Sequence, residues 1–268
     1  MNVGLIGFGK TGRAVAGVLL EAEDIKLRWV LRQSKALEQR SAAEFLDIGD
    51  NNDGLIFSAE TTPITELLDA HPVDVIVDFS SPEGIDYYGA EAARRGIVIV
   101  SAVSQYPIET INHLNTLARR TVVIHSPNIT LGINFLMIAA KVLKNIVPLT
   151  DIEIIEEHFK RKPEVSGTAR IIAKQLDIEA DAIKSVRAGG IIGTHEILFG
   201  LPNQTVRLKH ESISREAFGN GIVFALNNLP RRKIGLYTME DLLIPYFQLG
   251  KSEMDFNRTK TKPWWKIW

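Results

Sequence analysis

The sequence predicts an α/β fold in which a doubly wound parallel sheet is joined to a smaller α+β unit with a mixed sheet. Three observations predict it. Through the first half, short Val- and Ile-rich runs alternate with helical patterns, as strands buried on both faces of a parallel sheet require. A glycine-rich turn joins the first such run to the first helix. After Asn128 the alternation stops, and one long apolar helix is followed by runs of strand composition.

In chain order, strands are expected at Asn2–Ile6, Lys26–Leu31, Leu55–Ser58 (the weakest), Val73–Phe79, Ile97–Ser101 and Val122–His125. Helices or helical turns are expected at Arg13–Glu21, Pro63–Ala70, Glu83–Arg95 and Ile108–Arg119. The second unit begins with an apolar helix, Asn134–Asn145, in which Phe135 and Met137 read as core. A strand Asp151–His158, a charged loop and a helix Gly167–Leu176 come next, then strands Ile183–Ala188, His195–Phe199 and Val206–Glu211. Leu201-Pro202-Asn203-Gln204 has turn composition. A helix Glu216–Leu229, a turn at Gly235 and a tail ending Pro263-Trp264-Trp265-Lys266-Ile267-Trp268 complete the chain.

Composition narrows the chemistry. The 268 residues carry 31 Lys and Arg against 32 Asp and Glu, so no basic excess suits a nucleic-acid partner. With no cysteine, thiolate metal sites and a Cys nucleophile are excluded. His71, His113 and His125 have no metal-ligand spacing, and no metal is expected. The longest uncharged stretch, Thr121 to Ala140, contains His125, Asn128 and Asn134 and does not read as a membrane span. The N-terminal apolar run precedes the first positive charge, the reverse of a secretory signal, so a cytoplasmic location is expected.

Gly7-Phe8-Gly9-Lys10-Thr11-Gly12 is a GxGxxG that follows a strand and opens a helix. Gly7 permits the tight turn, Gly9 lets backbone approach a pyrophosphate, and Gly12 lets the helix pack on the strand. The helix N-terminus adds free N–H groups and partial positive charge. A Rossmann-type dinucleotide-binding domain is therefore expected over residues 1–130. At the end of the second strand, where an acidic residue would hold a ribose 2′-hydroxyl, stand Arg32-Gln33-Ser34-Lys35. Arg32 and Ser34 suit a 2′-phosphate, so NADPH is expected in preference to NADH.

The segment Glu156-Glu157-His158-Phe159-Lys160-Arg161-Lys162-Pro163-Glu164-Val165-Ser166-Gly167-Thr168-Ala169 leaves a strand, crosses three basic residues and enters a helix through Ser-Gly-Thr. Helix N–H groups and hydroxyls at such a start bind a carboxylate. His158 titrates near neutrality and is a natural proton donor.

These residues resemble the dihydrodipicolinate reductase (4-hydroxy-tetrahydrodipicolinate reductase) family. Its pattern E-x-H-H-x-x-K-x-D-x-P-S-G-T-A is matched by Glu156, His158, Lys162 and Ser166 to Ala169. Further likenesses are Val75–Ser80 to a strand ending D-F-S/T, Ser126–Asn134 to A-x-N-x-S-x-G-x-N, Arg187–His195 to R-x-G-x-x-G-x-H, and His210–Gly221 to H-x-a-x-S-R-x-x-F-x-x-G. Only the tail after about Leu243 has no counterpart.

The resemblance implies NAD(P)H-dependent reduction of a cyclic dicarboxylate in lysine and diaminopimelate biosynthesis, in a homotetramer. It implies His158 and Lys162 as the catalytic pair, with Ser166, Gly167, Thr168 and Arg215 at the substrate. It places Ser101-Ala102-Val103 and Ser126-Pro127-Asn128-Ile129 at the nicotinamide end. It further implies that residues from about 216 to 268 complete the cofactor domain, leaving 131–215 for substrate binding and oligomerisation. The chain departs from the pattern where Phe159 replaces the second His, a substrate contact, and where Pro163-Glu164-Val165 replaces D-x-P with one residue fewer. Ser101-Ala102-Val103-Ser104 also stands for G-T-T-G. The departures open two alternatives, a relative reducing another anionic cyclic imine or amino-acid derivative, and a non-catalytic nucleotide-binding paralogue.

Overall fold

A computed structural model of the chain describes residues 1–48, 53–104, 106–230 and 233–247. The Trp-rich end of the tail lies outside the described residues.

The first half forms β1 (Asn2–Ile6), α1 (Lys10–Glu21), β2 (Lys26–Arg32), α2 (Ala42–Leu46), β3 (Leu55–Ser58), α3 (Ile64–Ala70), β4 (Val75–Asp78), α4 (Gly84–Arg94), β5 (Val98–Ser101), α5 (Ile108–Leu117) and β6 (Val122–His125). The remainder forms α6 (Leu131–Ile146), β7 (Asp151–His158), α7 (Gly167–Gln175), β8 (Ile183–Arg187), β9 (Thr194–Leu201), β10 (Gln204–Glu211), α8 (Glu216–Asn227), β11 (Gly235–Tyr237) and α9 (Met239–Leu243).

Seven strands make a parallel sheet in the order β11-β6-β5-β4-β1-β2-β3. Their side chains are apolar to both sides because helices cover both faces. One face packs α1, α8 and α9 through Val15, Leu19, Ile222 and Leu242, and the other packs α3, α4 and α5 through Leu67, Ile85 and Leu114. Trp29 is fully buried on β2 and lies against Gly4, where any Cβ would overlap its ring; its indole N–H donates to the His71 carbonyl at 3.0 Å.

The second sheet runs β10-β9-β7-β8, antiparallel except for the β7–β8 pair. Its buried face takes Ile152, Ile154, Ile197 and Phe199 from the strands, and Ile133, Leu136, Met137, Ile172 and Ala173 from α6 and α7. β9 and β10 are a hairpin turning through Pro202-Asn203, with Asn203 at φ 62°.

Two sequence expectations are corrected. Gly235 does not turn the chain; with φ 155° it opens β11, which pairs in parallel with β6 and extends the large sheet. Three residues are too short a run to show periodicity. Phe135 is not core: it is 54% exposed and stacks on Phe247 at 5.2 Å between ring centroids. Residues 133, 136, 137 and 140 turn toward the second sheet, and the 100° step per residue carries position 135 away from it. Elsewhere the expected bounds shift by a few residues. α1 and α6 each begin three residues earlier, and the short α2 and α9 arise where no periodicity was readable.

Candidate active site

All the strands of the large sheet are parallel, so their carboxyl ends form one edge. Register places Ile6 beside Asp78, Asp78 beside Ser101, and Ser101 beside His125 along that edge. The glycine loop opens from it. Gly7 has φ 94°, and a Cβ there would lie 2.6 Å from the Phe79 carbonyl oxygen. A Cβ on Gly12 would lie 2.1 Å from the Gly7 oxygen. A Cβ on Gly9 would meet open space, since Gly9 faces outward as the N-cap of α1.

That helix start fits a dinucleotide pyrophosphate. No side chain caps it, no acidic residue lies in its first turn, and Lys10 is exposed beside it. Thr11 is half-buried, while Phe8 is buried edge-on against Phe45 and props the loop from below. Arg32 ends β2, and its guanidinium donates to the Ala36 carbonyl at 2.7 Å, with Ser34 half-buried between them in sequence.

At the other end of the edge, Ser101, Val103, Ser126 and Ile129 are buried, which leaves chiefly backbone for a ligand; Ala102 and Pro127 are half-buried. The stretch is braced from behind. Ser101 Oγ and the Tyr106 hydroxyl bond at 2.8 Å, His125 Nε2 bonds the Val103 carbonyl at 3.2 Å, and Ser126 Oγ donates to the Asn128 carbonyl at 2.7 Å. Asp78 is wholly buried; burial raises its carboxyl above the ordinary range, opposed by hydrogen bonds from Ser80 and Tyr88.

The second sheet supplies a cluster of titratable groups around His158. Along β7 the inward positions read Ile152, Ile154, Glu156, His158, so the period of two that builds the core carries a glutamate and a histidine onto the same face. Register sets Ser185 and His195 on either side of Glu156, and Arg187 beside His158. Three strands thus deliver five polar side chains to the point where the apolar core ends.

Glu156 accepts from His158 Nδ1 at 2.5 Å, Ser185 Oγ at 2.6 Å, the Ser166 amide at 3.2 Å, and both terminal nitrogens of Arg187 at 2.6 and 2.9 Å. Burial pushes its carboxyl up, but the bonds from Arg187, Ser185, His158 and the Ser166 amide outweigh it and hold the group at about 2. Glu156 is an anion throughout the working range. The His158 ring takes the Glu156 bond on Nδ1, leaving Nε2 toward the loop of Gly193, whose Cβ position lies 3.1 Å away. Burial lowers the His158 pKa; Glu156 opposes that, and the Lys162 and Arg187 charges add to it.

His195 meets His158 edge to face at 5.3 Å between centroids. Burial, then the neighbouring His158 and His210, pushes it down to about 3, so it is neutral. Ser166 Oγ bonds His195 Nε2 at 2.8 Å and also accepts the Ala169 amide at 3.4 Å as N-cap of α7. Ser166 is buried with both bonds made, whereas Gly167 is exposed with open space at its Cβ position. Thr168 Oγ1 accepts from Asn128 Nδ2 at 3.3 Å, tying the start of α7 to the loop at the end of β6. Lys162 is half-buried in the loop after β7, its amide bonded to the Phe159 carbonyl at 3.0 Å. The Phe159 side chain is 43% exposed.

The structure therefore brings Ser126–Ile129, Gly167 and Thr168 to one place, with His158 and Lys162 on the adjoining strand and loop. Arg215 is at the N-cap of α8, where it lines a cavity of about 550 Å³ with Lys10, Arg13 and Ile192 along α1. Sequence reasoning assigned no role to Glu156, Ser185 or Arg187. Glu156 and Arg187 stand in the family-like motifs, but their convergence with Ser185 rests on the shared parity of paired strands, which appears only once the strands are in register. Among the described residues no group of three or more His, Asp or Glu is arranged to hold a metal ion, and no helix is long and apolar enough to cross a membrane.

Fold and site together define an oxidoreductase that uses a nicotinamide dinucleotide, with a separate sheet carrying a cluster of titratable groups. The dihydrodipicolinate reductase family models match at residues 1–129 (N-terminus) and 128–243 (C-terminus). The chain belongs to that family. It is 34% identical over 192 residues to the 4-hydroxy-tetrahydrodipicolinate reductase of Caldanaerobacter subterraneus subsp. tengcongensis, covering 63% of this chain and 76% of the relative. It is 29% identical over 266 residues to that of Caulobacter vibrioides, covering 88% and 93%. In fold it is similar to a dipicolinate-bound dihydrodipicolinate reductase from Paenisporosarcina sp. TG-14, with TM-score 0.75, 23% identity and coverage of 90% and 98%. It is also similar to an amine dehydrogenase from Mycobacterium smegmatis, with TM-score 0.63, 11% identity and coverage of 90% and 95%.

Proposed function

We propose that the protein reduces 4-hydroxy-tetrahydrodipicolinate to tetrahydrodipicolinate, with NADPH as the preferred donor and His158 and Lys162 handling the proton. The observation that carries this reading is the Asn128–Thr168 hydrogen bond, because it sets the start of α7 against the cofactor edge. In this reading residues 1–130, completed by about 216–268, bind the dinucleotide, and 131–215 bind the substrate and build a cytoplasmic homotetramer.

When bound, the nicotinamide supplies a hydride. The N–H groups of Gly167 and Thr168 and the Thr168 hydroxyl receive a substrate carboxylate, with Lys160 to Lys162 adding positive charge. The carboxylate orients the ring so that its reducible bond faces the 126–129 backbone. Addition of hydride to a conjugated imine leaves electron density that must take a proton. His158 holds that proton at Nε2 while Glu156 holds Nδ1, and Lys162 stands on the same side of the site. Ser166 acts from behind, fixing the helix start rather than meeting the ligand. Arg32 and Ser34 favour a 2′-phosphate.

The test is a coupled assay in which substrate forms in place from aspartate semialdehyde and pyruvate, with NADPH and NADH in parallel. Oxidation of NADPH dependent on both precursors, and faster than that of NADH, is expected. Intact NADPH binding without turnover would sink the reading. Phe159, half in solvent where the family has a histidine, favours a second reading in which the substrate is a different anionic cyclic imine. There, Phe159→His would raise a feeble dipicolinate activity strongly; a high starting activity would remove the need for it.

A further inference from the structure

Arg187 is bonded on two sides. Its Nη1 and Nη2 donate to the two Glu156 carboxylate oxygens at 2.9 and 2.6 Å, and Glu156 in turn holds His158 Nδ1. Its Nε donates to the Lys162 carbonyl at 3.2 Å, and Nη2 also to the Glu164 carbonyl at 2.9 Å. One planar guanidinium therefore touches both the carboxylate that fixes the His158 ring and the backbone that carries Lys162. With Nη1 also donating to the Val186 carbonyl at 2.8 Å, the guanidinium reaches five acceptors at once, which a lysine could not do because it lacks the fork geometry.

We propose that Arg187 and Glu156 are a positioning pair that fixes the His158 tautomer with its proton on Nδ1 and sets His158 and Lys162 in register with each other. The proposal rests on the reductase reading above for its kinetic test only. A buried ion pair contributes little net stability compared with an apolar pair of the same shape, because desolvation offsets attraction. What an apolar pair cannot supply is an acceptor for Nδ1–H or a donor set for the 162–164 backbone. The role parallels the carboxylate of a Ser-His-Asp triad, which orients an imidazole and stabilises its cation without taking its proton.

The charged and titratable groups facing His158 are Glu156 on its own strand, Arg187 from β8, His195 from β9 and Lys162 from the following loop. α7 presents Ser166, which carries no charge. Glu156 is the one anion in this set, so its neutralisation moves His158 in one direction, toward easier proton loss.

The test uses the intact protein. In ¹⁵N NMR of the wild type the neutral His158 ring is expected to be protonated on Nδ1. In Glu156→Gln the arginine fork claims the single amide oxygen and turns the NH₂ toward Nδ1, so the neutral proton is expected to move to Nε2. kcat in Glu156→Gln is expected to fall by roughly 10²–10⁴-fold. The high-pH limb, where His158 loses its proton, is expected to move down by about one pH unit. Arg187→Lys keeps the charge but not the fork; its kcat is expected to fall by roughly tenfold or more with the pH limb and NADPH affinity unchanged. A neutral wild-type ring protonated on Nε2 would overturn the proposal without any variant. So would Arg187→Lys with kcat within about twofold of wild type. The tautomer measurement needs no turnover, so failure of the reductase reading would show separately as an inactive wild type with Nδ1–H intact.

Discussion

α1 and α7 both begin at an exposed, glycine-bearing turn, and they solve the problem of their free N–H groups differently. α1 starts at Gly9 with no side-chain cap, so its first turn is open to an external anion. α7 starts at Ser166, whose hydroxyl takes the Ala169 amide and is itself fixed by His195. An uncapped start suits a diffuse, mobile dianion approached by backbone alone, whereas a start anchored from behind holds fewer donors in a defined direction, as a planar carboxylate requires. The difference teaches that the same helix-end chemistry can be tuned from charge capture to orientation by one buried residue.

Breaking α1 has the largest expected effect. Gly12→Ala drives a Cβ against the Gly7 carbonyl oxygen, so NADPH affinity measured by fluorescence titration is expected to fall by more than about 100-fold. The equivalent change at α7, Gly167→Ala, meets open space and is expected to leave melting temperature within about 2 °C.

The anchor behind α7 makes a pH prediction. His195 is held at about 3, below its ordinary value, so the unfolded chain binds its proton first. Its contribution to stability is complete above about pH 6.5 and is lost as pH falls toward 3. His158, also lowered, acts in the same direction. Denaturant midpoints across that window should decline with acid in the wild type and more gently in His195→Asn.

A smaller effect separates the two helix starts kinetically. Thr168→Val removes one hydroxyl at α7, so KM for the dicarboxylate is expected to rise about tenfold while KM for NADPH stays constant. An equal rise in both would dissolve the distinction between the two anion sites. An effect confined to stability is expected for Ser166→Ala, which removes the α7 cap and leaves His195 Nε2 without its partner. A stability loss of about 1–2 kcal/mol in urea unfolding is expected, with NADPH affinity unaltered.

The two regions also differ in how openly the sequence displays them. The α1 site is local: Gly7, Gly9 and Gly12 lie within six residues, between a strand and a helix that are themselves readable at short range. The sheet around it was readable for the same reason, since Val- and Ile-rich runs and helical patterns alternate at short range. The α7 site is assembled across the chain. His158, Lys162 and Ser166 to Thr168 were visible as one charged loop, but Ser185 and Arg187 join them only through the pairing of β8 with β7. Arg187 is visible in the sequence as the start of the R-x-G-x-x-G-x-H likeness, but nothing local says that it reaches Glu156. β11 escaped reading because its three residues gain their structure from β6, and Phe135 was misplaced because an apolar helix does not by itself say which face is left over.

The return of the chain in α8 and β11 has a consequence for synthesis and breakdown. α8 lies close enough to α1 that a Cβ on Gly219 would fall 2.6 Å from Val18, and Gly221 abuts the Ile129 carbonyl. The half that is made first is thus finished last, waiting for more than 80 further residues to pass before its edge strand and two covering helices arrive. Until then the Val18 side of α1 and the flank of β6 lack their covering elements, an apolar surface of the kind chaperones recognise. A fragment cut short after residue 215 would contain the whole glycine loop yet lack the wall against which α1 is pressed, so proteolytic loss of the C-terminal segment should silence cofactor binding at a distance from every residue that touches it.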